Sequence, residues 1–255
     1  MKIVKIIASL LLVLLVLTLM IWAWIRANDQ TNTGISVVIH APKNSELLTK
    51  SDVLNVLKQS GTEWEGKKIK EIDLSAIKKI LAQENYIKSV DKVHFSGSKL
   101  QIEVTLYDIL LEVNAKDGQK FLLDVNGVYL PYSPKTGNDV IVVHGSISPT
   151  FQKKETITSE NNELYALYTV ASLIKKDPFY AQLFHKLHIN DKQEITLYPS
   201  VGNLPVLFGT TQDAEQKLKT LKYMYKEVLP YASEDKYARL DVRFKNRIVA
   251  TKTKS

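Results

Sequence analysis

The chain has 255 residues, of which 45% are hydrophobic and 24% are charged, a composition typical of folded proteins and not of disordered or fibrous ones. Lysine and arginine total 34 against 27 aspartates and glutamates, which gives a net charge of +7. So small an excess of positive charge over the whole chain does not indicate a nucleic-acid-binding protein. The absence of cysteine excludes disulfides, thiolate metal sites and a cysteine nucleophile.

The N-terminal segment has the pattern of a membrane anchor. Residues 6–25 contain no charged residue, proline or glycine, and a helix of this length at ~1.5 Å per residue crosses a ~30 Å hydrocarbon core. Lys2 and Lys5 precede the run and favour a cytoplasmic N-terminus, while Trp22 and Trp24 lie near its far end. A cleaved signal peptide is the alternative. However, the apolar run is longer than the hydrophobic region of a usual signal peptide, and Trp22 and Trp24 lie where a cleavage site needs small residues.

This pattern predicts a cytoplasmic N-terminus at residues 1–5, a transmembrane helix at 6–25 and a polar linker at 26–33. Everything after the linker is then expected outside the cytoplasm.

Residues 34–108 have the pattern of a small α+β domain. A β-branched run at 35–40 predicts the first strand, and Thr49, with Asp52 three positions later, predicts a capped helix after it. Asp73 precedes a run with apolar residues at helical spacing, which predicts a second capped helix. Two further strands are predicted at residues 86–95 and 100–106, joined by a turn at Gly97. Because each element has one apolar side, we expect a three-stranded sheet with both helices on one face.

Residues 109–255 are predicted to form a mostly antiparallel β domain with flanking helices. The turn dipeptides Asp117-Gly118 and Asn126-Gly127 separate three apolar runs, which indicates a meander. Further strands are predicted at residues 140–144 and 194–198. Helices are predicted after Ser159, ending at Asp177-Pro178, and from about Thr211 to a stop before Pro230.

The last predicted strand covers residues 238–250 and is followed by a short basic tail. Leu240, Val242 and Phe244 alternate along it with Asp241, Arg243 and Lys245. A strand at a sheet edge has unpaired backbone groups that a partner peptide can satisfy. Phe244 shares its predicted face with Leu240 and Val242, so it is either a core residue or an interface residue.

The whole chain resembles the bacterial cell division family FtsQ, called DivIB in Gram-positive bacteria. An anchor followed by strand, helix, helix, strand, strand resembles the plan of a POTRA domain behind a single membrane span. Downstream, several segments look like family positions: Phe121-Leu-Leu-Asp124-x-x-Gly127-Val-Tyr-Leu130-Pro131, Phe208-Gly209, Lys217-Leu218, and Leu240-Asp-Val-Arg243-Phe244.

The resemblance implies a non-enzymatic scaffold of the divisome at the inner membrane and septum, with its bulk in the periplasm. Partners resembling FtsB and FtsL are implied, and through them an influence on the septal peptidoglycan synthase. It also implies no catalytic residue, no cofactor, no metal and no small-molecule substrate. The C-terminal strand and its neighbouring helix are the implied partner site, with Arg243, Phe244, Lys245, Arg247 and Tyr225 as its candidate residues.

A search for catalytic patterns agrees with that implication. The sequence has no phosphate-binding glycine loop, no G-x-S-x-G and no H-E-x-x-H. The spacing His185-x-x-His188 is compatible with metal ligands on a helix, but no carboxylate flanks the pair and a structural reading is favoured. A different class of function stays open: a periplasmic envelope-biogenesis or transport component that uses a POTRA-like docking domain.

Overall fold

The computed structural model describes residues 2–28, 30–42, 46–61, 64–137, 139–148, 151, 153–159, 162–231, 236–245 and 247–253. These residues fall into two compact units. Unit 1 comprises residues 1–41 and 48–106, and unit 2 comprises residues 42–47 and 107–255. Both units contain helices and strands, so the protein has the mixed α+β fold that the sequence predicts.

Helix α1 (Lys2–Asn28) contains the apolar run. Its side chains are described at residues 7 and 10–24, and the large apolar ones among them are 48% to 68% exposed. Within the described part of the chain, no helix has the length and hydropathy required to cross a membrane. The helix continues through residues 26–28, which the sequence pattern had assigned to the linker.

Unit 1 contains the predicted order of strand, helix, helix, strand, strand. Its elements are β1 (Gly34–His40), α2 (Lys50–Gln59), α3 (Leu74–Ala82), β2 (Ile87–Ser96) and β3 (Lys99–Leu106). The sheet order is β1-β3-β2, with β1 parallel and β2 antiparallel to the central strand. The central strand supplies much of the core, because Leu100, Ile102 and Val104 are completely buried.

Both predicted helix caps in unit 1 are confirmed. The Thr49 hydroxyl accepts a hydrogen bond from the backbone N–H of Asp52, whose carboxylate accepts one from the N–H of Thr49. Asp73 accepts hydrogen bonds from the N–H groups of Ser75 and Ala76 at the start of α3. Each side chain satisfies backbone donors that the helix itself leaves unpaired, which fixes where the helix begins.

One residue of the predicted linker is part of the core of unit 1. Asn32 is 1% exposed, and its side-chain amide donates to the carbonyl of Trp64. Its side-chain oxygen accepts hydrogen bonds from the N–H groups of Gly34 and Leu100. The linker prediction missed this because two of the three partners, Trp64 and Leu100, lie more than 30 positions away in the sequence.

Unit 2 is built on one large sheet. Its described strands are β4 (Ile109–Asn114), β5 (Lys120–Asp124), β6 (Tyr129–Pro131), β7 (Ile141–Gly145), β8 (Phe184–Ile189), β9 (Ile195–Pro199), β10 (Val206–Gly209), β11 (Tyr237–Asp241) and β12 (Val249–Lys252). They form a nine-stranded sheet in the order β12-β11-β10-β9-β8-β7-β4-β5-β6. Five of the eight pairings are antiparallel, so "mostly antiparallel" is correct, and β4-β7, β7-β8 and β10-β11 are parallel.

Three helices cover the sheet of unit 2. They are α4 (Asn162–Lys176), α5 (Pro178–Leu183) and α6 (Ala214–Tyr223), which continues as a π-helical turn at Met224–Val228 and a 3₁₀ turn at Leu229–Tyr231. Leu167, Ala171 and Leu221 are completely buried, in one cluster with Leu187 and Leu197 of the sheet. In β8 Leu187 and Ile189 are buried on either side of half-buried His188, and in β9 Ile195 and Leu197 are buried on either side of half-buried Thr196. This alternation places one strand face against the helices.

The predicted final strand at residues 238–250 is wrong. The chain instead forms two strands, β11 and β12, which pair antiparallel with each other, and the described residues between them are 242–245 and 247–248. The strand β10 next to them was also not predicted, because its four residues are too few for periodicity to identify. Arg243, Phe244, Lys245 and Arg247 therefore lie in a turn and not on an alternating strand.

Candidate interaction surface

The last described strand lies at one end of the large sheet. Among the described residues, β12 has a neighbouring strand on one side only, namely β11. Val249, at its start, is 48% exposed. The outer side of such a strand presents backbone N–H and C=O groups to which another strand can hydrogen-bond. An edge strand in this position was predicted, although its residues are 249–252 and not 238–250.

An ion-pair cluster determines where β11 ends. Arg243 Nη2 lies 2.7 Å from Asp241 Oδ2, and the backbone N–H of Arg243 also donates to the Asp241 carboxylate. Arg243 Nη1 reaches Glu194 Oε1 at 2.9 Å. Because the side chain bonds to a carboxylate two residues back, the chain turns after Asp241, and Arg243 cannot point outwards from a continuing strand.

The electrostatics agree with this geometry. Asp241 is 7% exposed, and burial alone would raise the pKa of its carboxyl. The hydrogen bonds and charge of Arg243 outweigh burial and hold that pKa below its usual value. The pKa of the Glu194 carboxyl is also lowered, by hydrogen bonds from Asn190 and then from Arg243. Arg243 is thus engaged in holding the turn together.

Gly209, at the end of β10, leaves room for the aliphatic part of the Arg243 side chain. Its φ is 75°, a left-handed conformation that favours glycine, and a Cβ there would lie 2.8 Å from Arg243 Cγ. The Phe208-Gly209 pair that carried part of the family resemblance therefore has a packing role next to the turn.

A groove of about 450 Å³ opens beside the turn. The turn contributes Phe244, Lys245 and Arg247 to its wall, and α6 contributes Gln216, Lys217 and Thr220. Phe244 is 49% exposed, so it is not a core residue, and the alternative that placed it in the core is wrong. The lining has one exposed aromatic ring and four cations, against the two carboxylates of Glu194 and Asp213. This excess of positive charge suits a partner segment with apolar and acidic side chains.

Lys217 forms the inner part of this groove wall. Its ammonium donates to the carbonyl of Thr210 at 2.9 Å and lies 5.0 Å from the centre of the Phe208 ring. Burial lowers the pKa of Lys217. In the sequence, Lys217 stands out only through the family resemblance, and no local pattern marks Glu194 or Asp241 as part of the site.

Tyr225, the remaining candidate residue, is placed differently. It belongs to the π-helical turn, and its ring packs edge-on against Phe184 with the centroids 6.3 Å apart. It is half-buried and packed against the core of unit 2, and it is not among the described residues that line the groove. The structure therefore brings four of the five candidates together and separates Tyr225 from them.

His185 and His188 lie on strand β8 and not on a helix, so their i, i+3 spacing does not place them on one helix face. His188 on β8 lies beside His144 on β7, with the ring centroids 4.9 Å apart. His185 is instead hydrogen-bonded to the hydroxyl of Ser200. Burial, followed by the charge of Lys186, lowers the pKa of His144. No group of three or more potential metal ligands occurs within the described residues.

Two family models match the chain. The model described as "FtsQ/DivIB, C-terminal related" matches residues 110–251, more than half of the chain. The model described as "POTRA-like domain" matches residues 30–105. No curated protein matches the chain. The two matched segments correspond to the large sheet with its helices and to the small three-stranded domain.

Proposed function

The chain belongs to the FtsQ/DivIB C-terminal related family, and from that premise we propose that it is a non-enzymatic scaffold of the bacterial divisome. The family acts in cell division, in general as membrane-anchored proteins that work through protein–protein contacts. The finer role proposed for this chain is to hold membrane-anchored partners resembling FtsB and FtsL. Through them it would help to regulate septal peptidoglycan synthesis.

The position of β12 is the observation that carries this proposal. An edge strand with one described neighbour offers main-chain hydrogen bonds to an added strand, and the adjacent groove offers side-chain selection. We place the FtsB-like segment along β12, with one apolar side chain against Phe244. Lys245 and Arg247 lie where acidic side chains of that segment would meet them.

The same proposal includes a single-pass anchor. Residues 6–25 contain no charged residue, and the apolar side chains described on α1 are at least 48% exposed, so they are not packed in a protein core. A lipid environment would cover them. With Lys2 and Lys5 on the cytoplasmic side, the two folded units would lie in the periplasm, and the protein would act at the septum.

The test is capture of the FtsB-like partner by the full chain solubilised in detergent. Charge reversal of two exposed groove residues, Lys245→Glu with Arg247→Glu, should weaken capture by about 1–3 kcal/mol. Arg243 is left unchanged because it holds Asp241 and Glu194. The melting temperature should not change, since both replaced side chains are exposed.

The matched control reverses two exposed lysines outside the groove, Lys176→Glu with Lys219→Glu, and so changes the net charge by the same amount. It should capture the partner as the wild type does. Equal capture by both double variants, with equal melting temperatures, would remove this groove from the partner site.

A further inference from the structure

Two histidines lie side by side on the face of the large sheet that is turned away from the helices. His144 on β7 and His188 on β8 are direct partners in the parallel pairing of these strands. The preceding residues, Val143 and Leu187, are completely buried in the cluster that contains the helices, and successive side chains of a strand point to opposite faces. His144 and His188 therefore share the other face, where both are half-buried.

The separation of the two rings suits a shared metal ion. The ring centroids of His144 and His188 are 4.9 Å apart, and the ring planes meet at 62°. Two imidazoles bound to one tetrahedral Zn²⁺ ion, each through a nitrogen at ~2.0–2.1 Å, have ring centres roughly 5 Å apart. The two side chains thus already stand at the spacing that one ion between them requires.

The environment of the pair favours the form of imidazole that binds metals. Burial, followed by the charge of Lys186 and by His188, lowers the pKa of His144, and a backbone hydrogen bond at Leu187 opposes this shift without reversing it. Neutral imidazole, and not imidazolium, is the ligand of a metal ion. Two neighbouring imidazoliums would repel each other, whereas a single metal ion can bind both neutral rings.

The strands on either side of the pair contribute polar groups. Asn114 on β4 and Thr196 on β9 are the strand partners of the two histidines. The amide of Asn114 donates to the carboxylate of Glu112 at 3.4 Å, which brings one negative charge near the pair. The ammonium of Lys186 lies 5.6 Å from the centre of the Tyr198 ring, whose negative face attracts it. One acid and one base therefore flank the pair, and their charges offset each other.

We propose that His144 and His188 form a binding site for a transition-metal ion, with copper(II) bound more tightly than zinc. Imidazole is a ligand for both ions, and the affinity order of divalent metals places Cu²⁺ above Zn²⁺. Water completes the coordination, since the described residues contain no group of three or more histidine, cysteine or carboxylate ligands. Because the two rings are held on paired strands, the second imidazole binds intramolecularly, and the pair binds more tightly than a single histidine.

The test is a titration of the full chain in detergent with copper(II) near neutral pH, using protein prepared without a polyhistidine tag. Calorimetry should show one ion per chain in the tightest site. His144→Gln and His188→Gln each leave a single imidazole, so each should weaken binding about tenfold or more, which corresponds to ~1.4 kcal/mol. The matched control is His94→Gln, which replaces a half-buried histidine on β2 and should bind copper as the wild type does.

Two measurements on the wild type keep the test decisive if a variant melts early. Electron paramagnetic resonance of the copper-loaded chain should show two imidazole nitrogens bound to the ion. Diethyl pyrocarbonate modifies neutral imidazoles, and mass spectrometry locates the modified residues. Zinc at about ten times its dissociation constant should slow the modification of His144 and His188 roughly tenfold and leave that of His94 unchanged. Acid should weaken binding of both ions, because protons compete for the same nitrogens.

Three results would overturn the proposal. Copper binds His144→Gln and His188→Gln as tightly as the wild type, His94→Gln loses as much affinity as they do, or zinc protects neither histidine of the pair from modification. The last result would make the pair an edge-to-face packing contact only. Capture of the FtsB-like partner should be the same in all three variants, because β9, β10 and β11 lie between this pair and β12.

Discussion

The two edge strands of the large sheet in unit 2, β6 and β12, differ in whether another segment of the chain covers them. At the β6 end the chain covers its own edge: the N–H of Tyr129 donates to the carbonyl of Glu155, and the N–H of Lys154 donates to the carbonyl of Tyr129, both at 2.9 Å. At the β12 end the described residues place a strand on one side only, and Val249 is 48% exposed. One end is covered within the chain, and at the other the described residues place no strand beyond β12.

Particular side chains determine how each end of the sheet is covered. Next to the closed end, Phe121, Tyr129 and Phe151 pack together with ring centroids 5.5 to 6.3 Å apart. Gly127, with φ 78°, lets the covering segment approach, because a Cβ there would lie 2.5 Å from Ile157 Cγ2. At the β12 end, the charged hydrogen bonds of Arg243 with Asp241 and Glu194 take the place of aromatic packing. They hold the turn after β11 and do not cover β12.

The largest effect on stability is expected at the closed end. Tyr129 is 1% exposed, so Tyr129→Ala removes a buried ring and leaves a cavity, which should lower the free energy of unfolding by about 3–5 kcal/mol. Chemical denaturation of the full chain measures it. Tyr231→Ala, at a residue that is 89% exposed, is the matched control and should change stability by less than about 0.5 kcal/mol. A small loss in Tyr129→Ala would show that the covering segment does not close this end.

A smaller effect is expected at the open end from Arg243→Ala. The change leaves the buried carboxylate of Asp241 without its main hydrogen-bond donor, which should cost about 1–3 kcal/mol of unfolding free energy. Lys245→Ala, two residues further along the same turn and exposed, should cost almost nothing. Equal losses in the two variants would mean that the contacts of Arg243 with Asp241 and Glu194 do not stabilise the turn.

The pH dependence sharpens this second expectation. The pKa of Asp241 is lower in the folded chain than its usual value, so its ionised form favours folding. The resulting stability is fully present above the unfolded pKa of about 4 and is lost as the pH falls through the lower folded value. The difference in the free energy of unfolding between the wild type and Arg243→Ala should therefore be constant near neutral pH and become smaller in acid. A difference that grows on acidification would contradict the assigned direction.

The same comparison explains what could be predicted from the sequence. The meander β4-β5-β6 at the closed end was predictable because Asn126-Gly127 and the three apolar runs around it are local signals, and it is confirmed. The helix caps at Thr49 and Asp73 were predictable for the same reason. All these features depend on residues a few positions apart.

The open end was not predictable in the same way. Alternation from Leu240 to Phe244 indicated one long strand, but the contact of Arg243 with Glu194, 49 positions earlier, accompanies a turn that the pattern does not contain. The groove likewise needs α6 beside the turn, which no local pattern shows. The family resemblance pointed to the segment around Arg243 and Phe244, whereas the alternation pattern placed these residues on a continuing strand that the structure does not contain.

The smallest effect on stability is expected from Phe244→Ala, and it separates folding from binding most cleanly. A ring on an alternating strand next to Leu240 and Val242 would be core, and its removal would cost several kcal/mol, about 3–5. In the structure the ring lies in the turn and is 49% exposed, so its loss should change the free energy of unfolding by less than about 0.5 kcal/mol.

Partner capture should respond differently to the same change. An exposed aromatic at the mouth of a groove is the kind of residue that dominates an interface, so Phe244→Ala should weaken capture of the FtsB-like partner by about 1–2 kcal/mol or more. Tyr223→Ala, which removes a ring that is 66% exposed on α6 but does not line the groove, should leave capture unchanged. Because both variants are expected to melt like the wild type, a loss of capture in Phe244→Ala alone would assign the open end to a partner. A loss of stability without a loss of capture would instead make Phe244 part of the fold and leave the edge without a recognised anchor residue.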